Sequence, residues 1–365
     1  FRSGNITATL SGANTYTGGT TVSGATLKAG SSSAFGANAP MTVSAGATLD
    51  LGGNSNSIGS LDGGGIITNT GASATLTVTS STNTTFSGVI KDGSASNLLS
   101  LTKAGAGTLT LSGTNTFTGV TTLTAGTLSV ATINAGGVAG NLGQASADAG
   151  NLVLNGGTLQ YTATGTTAST NRAFTLMPGT MSTIEVTSAS SVLTMSGASA
   201  STTGSLTKSG SGTLMLSGAN SFSGTTNITG GSLILANPLA LQYSTLNLTN
   251  SGFSFGGLTE ATLGGLSGSS ALSLTNSATP SAGVVLRVGN NDSNTHYAGI
   301  LSGVAGSLMK VGAGTFMLSG DNTYGGGTTI SGGTLQVGSG GSTGALGSGW
   351  VTNHSSLIFN RTANT

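Results

Sequence analysis

One 28-residue segment recurs four times without a gap, at residues 2–29, 103–130, 208–235 and 310–337. Its best copy reads KAGAGTLTLSGTNTFTGVTTLTAGTLSV, and successive copies begin 101, 105 and 102 residues apart. Tandem self-similarity of this kind restricts a chain to stacked, quasi-one-dimensional architectures, in which each unit buries its apolar face against its neighbours.

The repeated positions have a physical grammar. A basic residue opens each copy (Arg2, Lys103, Lys208, Lys310), with glycine two places on (Gly4, Gly105, Gly210, Gly312). A strand then ends in Leu-Ser-Gly, where Leu10, Leu111, Leu216 and Leu318 lead to Gly12, Gly113, Gly218 and Gly320. Asn14, Asn115, Asn220 and Asn322 follow, residues suited to turns that bond to their own backbone. Next come an aromatic (Tyr16, Phe117, Phe222, Tyr324) and a glycine (Gly18, Gly119, Gly224, Gly326). Each copy closes with strands around Val22, Leu123, Ile228 and Ile330, and around Leu27, Leu128, Leu233 and Leu335.

Alternation at period two, as in Thr108-Leu109-Thr110-Leu111, is the strand signal, and β-branched Thr and Val suit the pleat. Glycine at 64 positions, each costing about 1 kcal/mol inside a helix, argues against helices. Disorder is excluded by a positive mean hydropathy of +0.23 and a net charge of only +1. The Leu-centred strands lie 19 residues apart in three copies (Leu109 to Leu128, Leu214 to Leu233, Phe316 to Leu335). A coil of about 20 residues with three short strands matches one β-helix turn. The expected fold is therefore all-β, a right-handed parallel β-helix of roughly seventeen turns. The expected units are residues 1–102, 103–207 and 208–309, with 310–365 starting a fourth. Aromatics at 4% and tight corners argue against a sandwich.

The run Gly-x-Gly-Thr-Leu-x-Leu-Ser-Gly-x-Asn-Thr-aromatic-x-Gly-x-Thr-Thr-x-x-x-x-Gly-Thr-Leu is legible at 105–128 and 312–335, and in weaker form at 4–27 and 210–233. It resembles the autotransporter-associated β-strand repeat, also called the passenger-associated transport repeat. The resemblance implies a passenger region of a bacterial, Gram-negative, type V-secreted surface protein, with a β-helical stalk outside the cell. Such families are typically free of cysteine, as this chain is. The chain departs from whole members in showing neither a translocator barrel nor a protease signature. It begins at Phe1 and ends at Arg361-Thr362-Ala363-Asn364-Thr365 without a capping element, and reads as a segment of a longer polypeptide. Any membrane attachment is expected outside it.

Chemistry is sparse. Without cysteine there are neither disulfides nor thiolate metal sites. Nine basic residues along the chain do not make the stripe that nucleic acid requires. The acids Asp50, Asp62, Asp92, Asp148, Glu185, Glu260, Asp292 and Asp321 are scattered and read as solvated loop acids, although stacking of successive turns leaves room for Asp50 and Asp62 to meet by register. His296 and His354 stand at no zinc spacing, and no cofactor is expected. Gly340-Gly341-Ser342-Thr343-Gly344 lacks the strand and helix of a nucleophile elbow. The opening basic residues read as exposed corners, and the repeated aromatics as corner plugs. Asn115 and its equivalents read as an internal ladder of stacked amides. Thr-x-Thr pairs such as Thr108/Thr110 read as strand surface, since wandering turn lengths keep such pairs from forming a regular array.

The structural positions that define the repeat are thus Gly105, Leu111, Gly113, Asn115, Phe117, Gly119, Leu128, Asn220, Phe222, Asn322 and Tyr324. The most polar loop, 290–297, is the candidate binding corner, with Asn290, Asn291, Asp292 and His296 as its residues. The leading functional expectation is a structural rod forming a stalk, fibre or matrix element, prone to self-association or end-to-end continuation. The alternative is an adhesin binding cell-surface glycans or proteins through its loops. A polysaccharide-active enzyme is the third reading, and requires acids that converge.

Overall fold

The computed structural model describes residues 6–36 and 38–362. Arg2 and Gly4 of the first repeat lie outside the described residues. The fold is an all-β parallel β-solenoid of about 16 turns. The 3-10 turn Ala149–Asn151 is the one helical element among the described residues. No described helix is long and apolar enough to cross a membrane. The chain divides into two compact units, the first ending at Leu193 and the second beginning at Thr194.

In the first unit three parallel ladders run side by side. One stacks Thr7–Leu10, Thr26–Ala29, Thr48–Asp50, Ile66–Thr68 and Val89–Ile90. A second stacks Asn56–Ile58, Ala74–Val78, Leu99–Lys103, Thr121–Leu123, Leu152–Leu154 and Thr175–Leu176. The third contains Thr84–Phe86, Thr108–Leu111, Thr127–Val130, Thr158–Tyr161 and Met181–Val186. In the second unit the longest ladder joins Ser205–Ser209, Thr226–Ile228, Leu241–Leu248, Glu260–Gly268, Val285–Val288, Ser307–Lys310, Thr328–Ile330 and Val351–Asn353. Beside it Thr213–Leu216 pairs with Ser232–Leu235, and Thr315–Leu318 with Thr334–Val337.

The 19-residue offset is the pairing register itself. Leu109 is the partner of Leu128, Leu214 of Leu233, and Phe316 of Leu335. The aliphatic column extends from Leu109 and Leu128 to Leu159 and Ile184, all fully buried. Burying one such side chain stabilises by about 1.5–3 kcal/mol, so the columns supply the core that the absent disulfides do not. The alternate positions face outward, where Thr108, Thr127, Thr158 and Thr183 align on four turns. The second members of these pairs read Thr110, Ser129, Gln160 and Glu185, so the Thr-x-Thr pairing is not repeated. Turn length varies, but the corners between these turns absorb the extra residues and leave these strands in register.

Glycine serves a specific purpose at Gly126, Gly231 and Gly333, the same position in three repeats. Each has φ between +60° and +62°, in the left-handed region that side-chain-bearing residues disfavour. A Cβ on Gly126 would press on the carbonyl oxygens of Gly105 and Gly107 one turn below. Gly210 and Gly212 stand in that relation to Gly231, and Gly312 and Gly314 to Gly333.

Candidate binding groove

Repeated side chains form a set of internal staples before any site is reached. Asn115 is fully buried, and its Oδ1 accepts the Ile90 amide at 2.8 Å while its Nδ2 donates to the Asn141 carbonyl at 2.7 Å. Asn220 accepts from Ser199 N at 2.8 Å and donates to Ala240 O at 3.0 Å. Asn322 accepts from Leu301 N at 2.8 Å and donates to Ala345 O at 2.6 Å. Each amide thus bridges the backbones of two neighbouring turns, in place of the amide-on-amide stack expected for these positions. Paired amides occur instead on the outer face, where Asn247 Nδ2 donates to Asn227 Oδ1 at 2.9 Å. Asn56, Asn69 and Asn141 make similar backbone bridges outside the repeat, where no sequence period announces them. The plugs Phe117, Phe222 and Tyr324 are buried at these corners, whereas Tyr16 is 36% exposed.

The opening lysines reverse their expectation as exposed corners. Lys103, Lys208 and Lys310 are at most 1% exposed. Lys208 Nζ donates to Ser209 O, Gly210 O and Gly230 O at 2.6, 3.0 and 3.0 Å. Lys310 Nζ repeats the pattern on Val311 O, Gly312 O and Gly332 O at 2.6, 2.9 and 3.1 Å, and Lys103 binds Gly105 O and Ala125 O. The turn after each lysine points its carbonyls inward, so the ammonium substitutes for solvent there. Burial pushes the Lys103 and Lys310 amines below the ordinary lysine value, and Asp292 opposes this at Lys310.

The carboxylates are individually engaged. Asp50 and Asp62 do not meet, since Asp50 pairs in register with Lys28 and Thr68 and Asp62 with Thr42. Asp50 Oδ1 accepts from Gly52 N and Thr70 N, and its Oδ2 accepts from Thr70 Oγ1 at 2.6 Å with Lys28 Nζ at 3.5 Å. Burial alone would raise this carboxyl, but those hydrogen bonds and Lys28 together hold it below the usual carboxylate value. Asp92 accepts from Leu99 N and Thr118, Asp321 from Gly344 N, and Glu185 from Gln160 Nε2. Glu260 lies 3.5 Å from Arg287 and Asp148 accepts from Ser146. Among the described residues no three His or acidic groups cluster as metal ligands.

The polar loop lines a groove of about 480 Å³ in the second unit. Asn290, Asn291 and Asp292 form one wall, Ser221, Ser223 and the 201–203 segment the other, and Tyr243 stands at 40% exposure between them. His296 is not part of it: it projects from Thr295–Tyr297 with Nε2 2.7 Å from Ser319 Oγ. The wall is fixed across two turns, because Asn290 Nδ2 donates to Gln242 O at 2.9 Å and Asn291 Nδ2 to Thr245 Oγ1 at 3.0 Å. Asp292, at φ +58°, accepts the Ala313 amide at 2.7 Å. The turn between carries Gly264 and Gly265, and a Cβ at Gly264 would strike the Tyr243 backbone. Tyr243 itself was absent from the sequence expectation. Its signal is the inward spacing of Leu246 and Leu248, which turns Tyr243, Thr245 and Asn247 outward.

Comparison with known proteins gives two matches. The Passenger-associated-transport-repeat family model matches residues 6–29, 101–130, 206–235 and 308–337, so the chain carries four copies of that repeat. The "Adhesin BmaC autotransporter" of Brucella suis biovar 1 (strain 1330) is 40% identical over 286 residues, 76% of this chain. The chain spans only 8% of that relative's length. No solved structure gives a significant match.

Proposed function

We propose that this chain, with its four passenger-associated transport repeats, is a structural segment of a Gram-negative autotransporter adhesin, displayed outside the cell and without catalysis of its own. The observation that carries the reading is the recurrence in three repeats of one internal scaffold, a buried lysine on backbone carbonyls with an asparagine bridging two turns. Residues spent on holding turns together are those of a spine. The separately engaged carboxylates favour the same reading over hydrolysis, which needs two of them facing one bond. In a Gram-negative host producing the parent polypeptide, antibodies raised against residues 6–362 should label intact cells, and external protease should remove the label. Confinement of the epitope to the cytoplasm or periplasm would sink the proposal.

A second reading, direct adhesive contact, is favoured by the exposed Tyr243 in its polar groove. Beads coated with the purified chain are expected to bind host cells above albumin-coated beads, and equal binding removes this reading. Self-association rests on the low net charge, which leaves little repulsion between neighbouring copies. Sedimentation velocity should then show larger species growing with concentration, and a lone monomer at all concentrations would refute it.

A further inference from the structure

We infer that the groove around Tyr243 is a binding site for a neutral oligosaccharide, a deepening of the adhesive reading above and dependent on it. The groove has the volume of a small-ligand site, about 480 Å³, where protein partners need roughly 800 Å² per side around an apolar centre. Tyr243 is the one large apolar surface in its lining, and an exposed ring with a polar tip suits a sugar face with alternating C–H and O–H groups.

The ring is kept free by the fold. On the next turn the chain crosses at Gly264 and Gly265, which have no side chain to lay over it. The register also breaks between Leu241 and Thr245, so Tyr243 is not stacked within the ladder. Around the ring, polar groups are held in place yet have bonding capacity left. Asn290 and Asn291 are anchored through Nδ2, and the Asn290 Oδ1 has no partner among the described residues.

Charge selects the ligand class. No lysine or arginine lines the groove, and its one charged group is Asp292, whose neighbour Lys310 is buried behind it on backbone carbonyls. A sulfated or carboxylated glycan would meet like charge with no cation in the lining to pair with it, whereas a neutral sugar supplies hydroxyls for both amide and carboxylate acceptors.

The test uses the purified chain and saturation-transfer NMR with lactose, cellotriose and N,N′-diacetylchitobiose, against 3′-sialyllactose and a heparin disaccharide. At least one neutral sugar should receive saturation, the anionic ones much less. Tyr243→Ala should weaken binding at least ten-fold and Asn290→Ala several-fold, while Tyr243→Phe keeps it because the ring remains. Tyr243 is exposed, so an unchanged melting curve in Tyr243→Ala verifies the fold. The inference is overturned if no neutral sugar binds, if Tyr243→Ala binds as the parent does, or if anionic sugars bind equally well. Cell adhesion by chain-coated beads that persists in Tyr243→Ala and resists added sugar also overturns it, in favour of a protein ligand elsewhere, and leaves adhesion intact. Failure of the beads to adhere while a sugar still binds the groove separates the two outcomes in the other direction.

Discussion

The Lys310 ammonium donates to the carbonyl oxygen of Gly332 on the following turn, 3.1 Å away, with the whole lysine side chain removed from solvent. A charge in that position is tolerated because the carbonyls of Val311 and Gly312 complete its coordination. Lys310→Ala should destabilise the chain by about 2–4 kcal/mol, through the cavity and the carbonyls left without a donor. Lys310→Met should cost less, since the stem stays packed. Urea denaturation of the two variants measures the difference, and a Lys310→Met variant as stable as the parent would show that the amine contributes nothing.

The same burial gives a pH dependence. The Lys103 amine sits below the ordinary lysine value of 10.5 in the folded chain, so just below that value the unfolded chain binds more protons. Its contribution therefore grows as pH rises through the folded value toward 10.5. Relative to Lys103→Met, the parent chain should gain stability at alkaline pH, as read by melting temperature across that range. A constant difference between the two would contradict it.

Asp50 acts in the opposite direction. Its carboxyl is held below 3.8 in the folded state, so its contribution is complete above that value and is lost as pH falls through the folded one. Asp50→Asn should cost about 1–3 kcal/mol at neutral pH, and the gap to the parent should close in acid. A gap that stays open below the folded value would argue against the hydrogen-bonded carboxylate.

Asn115→Ala leaves the Ile90 amide and the Asn141 carbonyl without their buried partner. A loss of about 2–4 kcal/mol is expected in denaturant titration, with faster amide exchange at Ile90. Exchange at Ile90 equal to the parent's would contradict the bridge.

Gly126 and Gly137 separate two costs of a left-handed backbone. Both have positive φ, +61° and +80°, but a Cβ on Gly137 meets nothing within 4 Å, while on Gly126 it meets backbone oxygen. Gly137→Ala should cost about 1–2 kcal/mol and Gly126→Ala measurably more. Equal melting temperatures would mean that the turn below yields freely.

How far these features are legible in sequence depends on their range. The Leu109–Leu128 stack was readable because one number, the 19-residue spacing, fixes it. The plugs at Phe117 and Phe222 followed from aromatic size at a recurring corner. The lysines were misread because their acceptors are backbone carbonyls, which no residue type reveals, and exposure is the ordinary fate of a lysine. The loop 290–292 stood out by polarity, but its wall depends on Gln242 and Thr245, 46 to 48 residues earlier. Corner lengths vary too much for spacing to forecast which outward side chains share a hollow.

Thr127 and Thr158 are ladder partners although residues 131–157 intervene, and Thr108 and Thr127 are partners with far fewer between them. Excursions of such different size close on one register, so length at a corner is free to drift while the strands on either side stay paired. A lineage carrying this spine can graft, lengthen or trade its protruding segments one at a time, each an independent trial of a new contact, with the trunk beneath left unaltered.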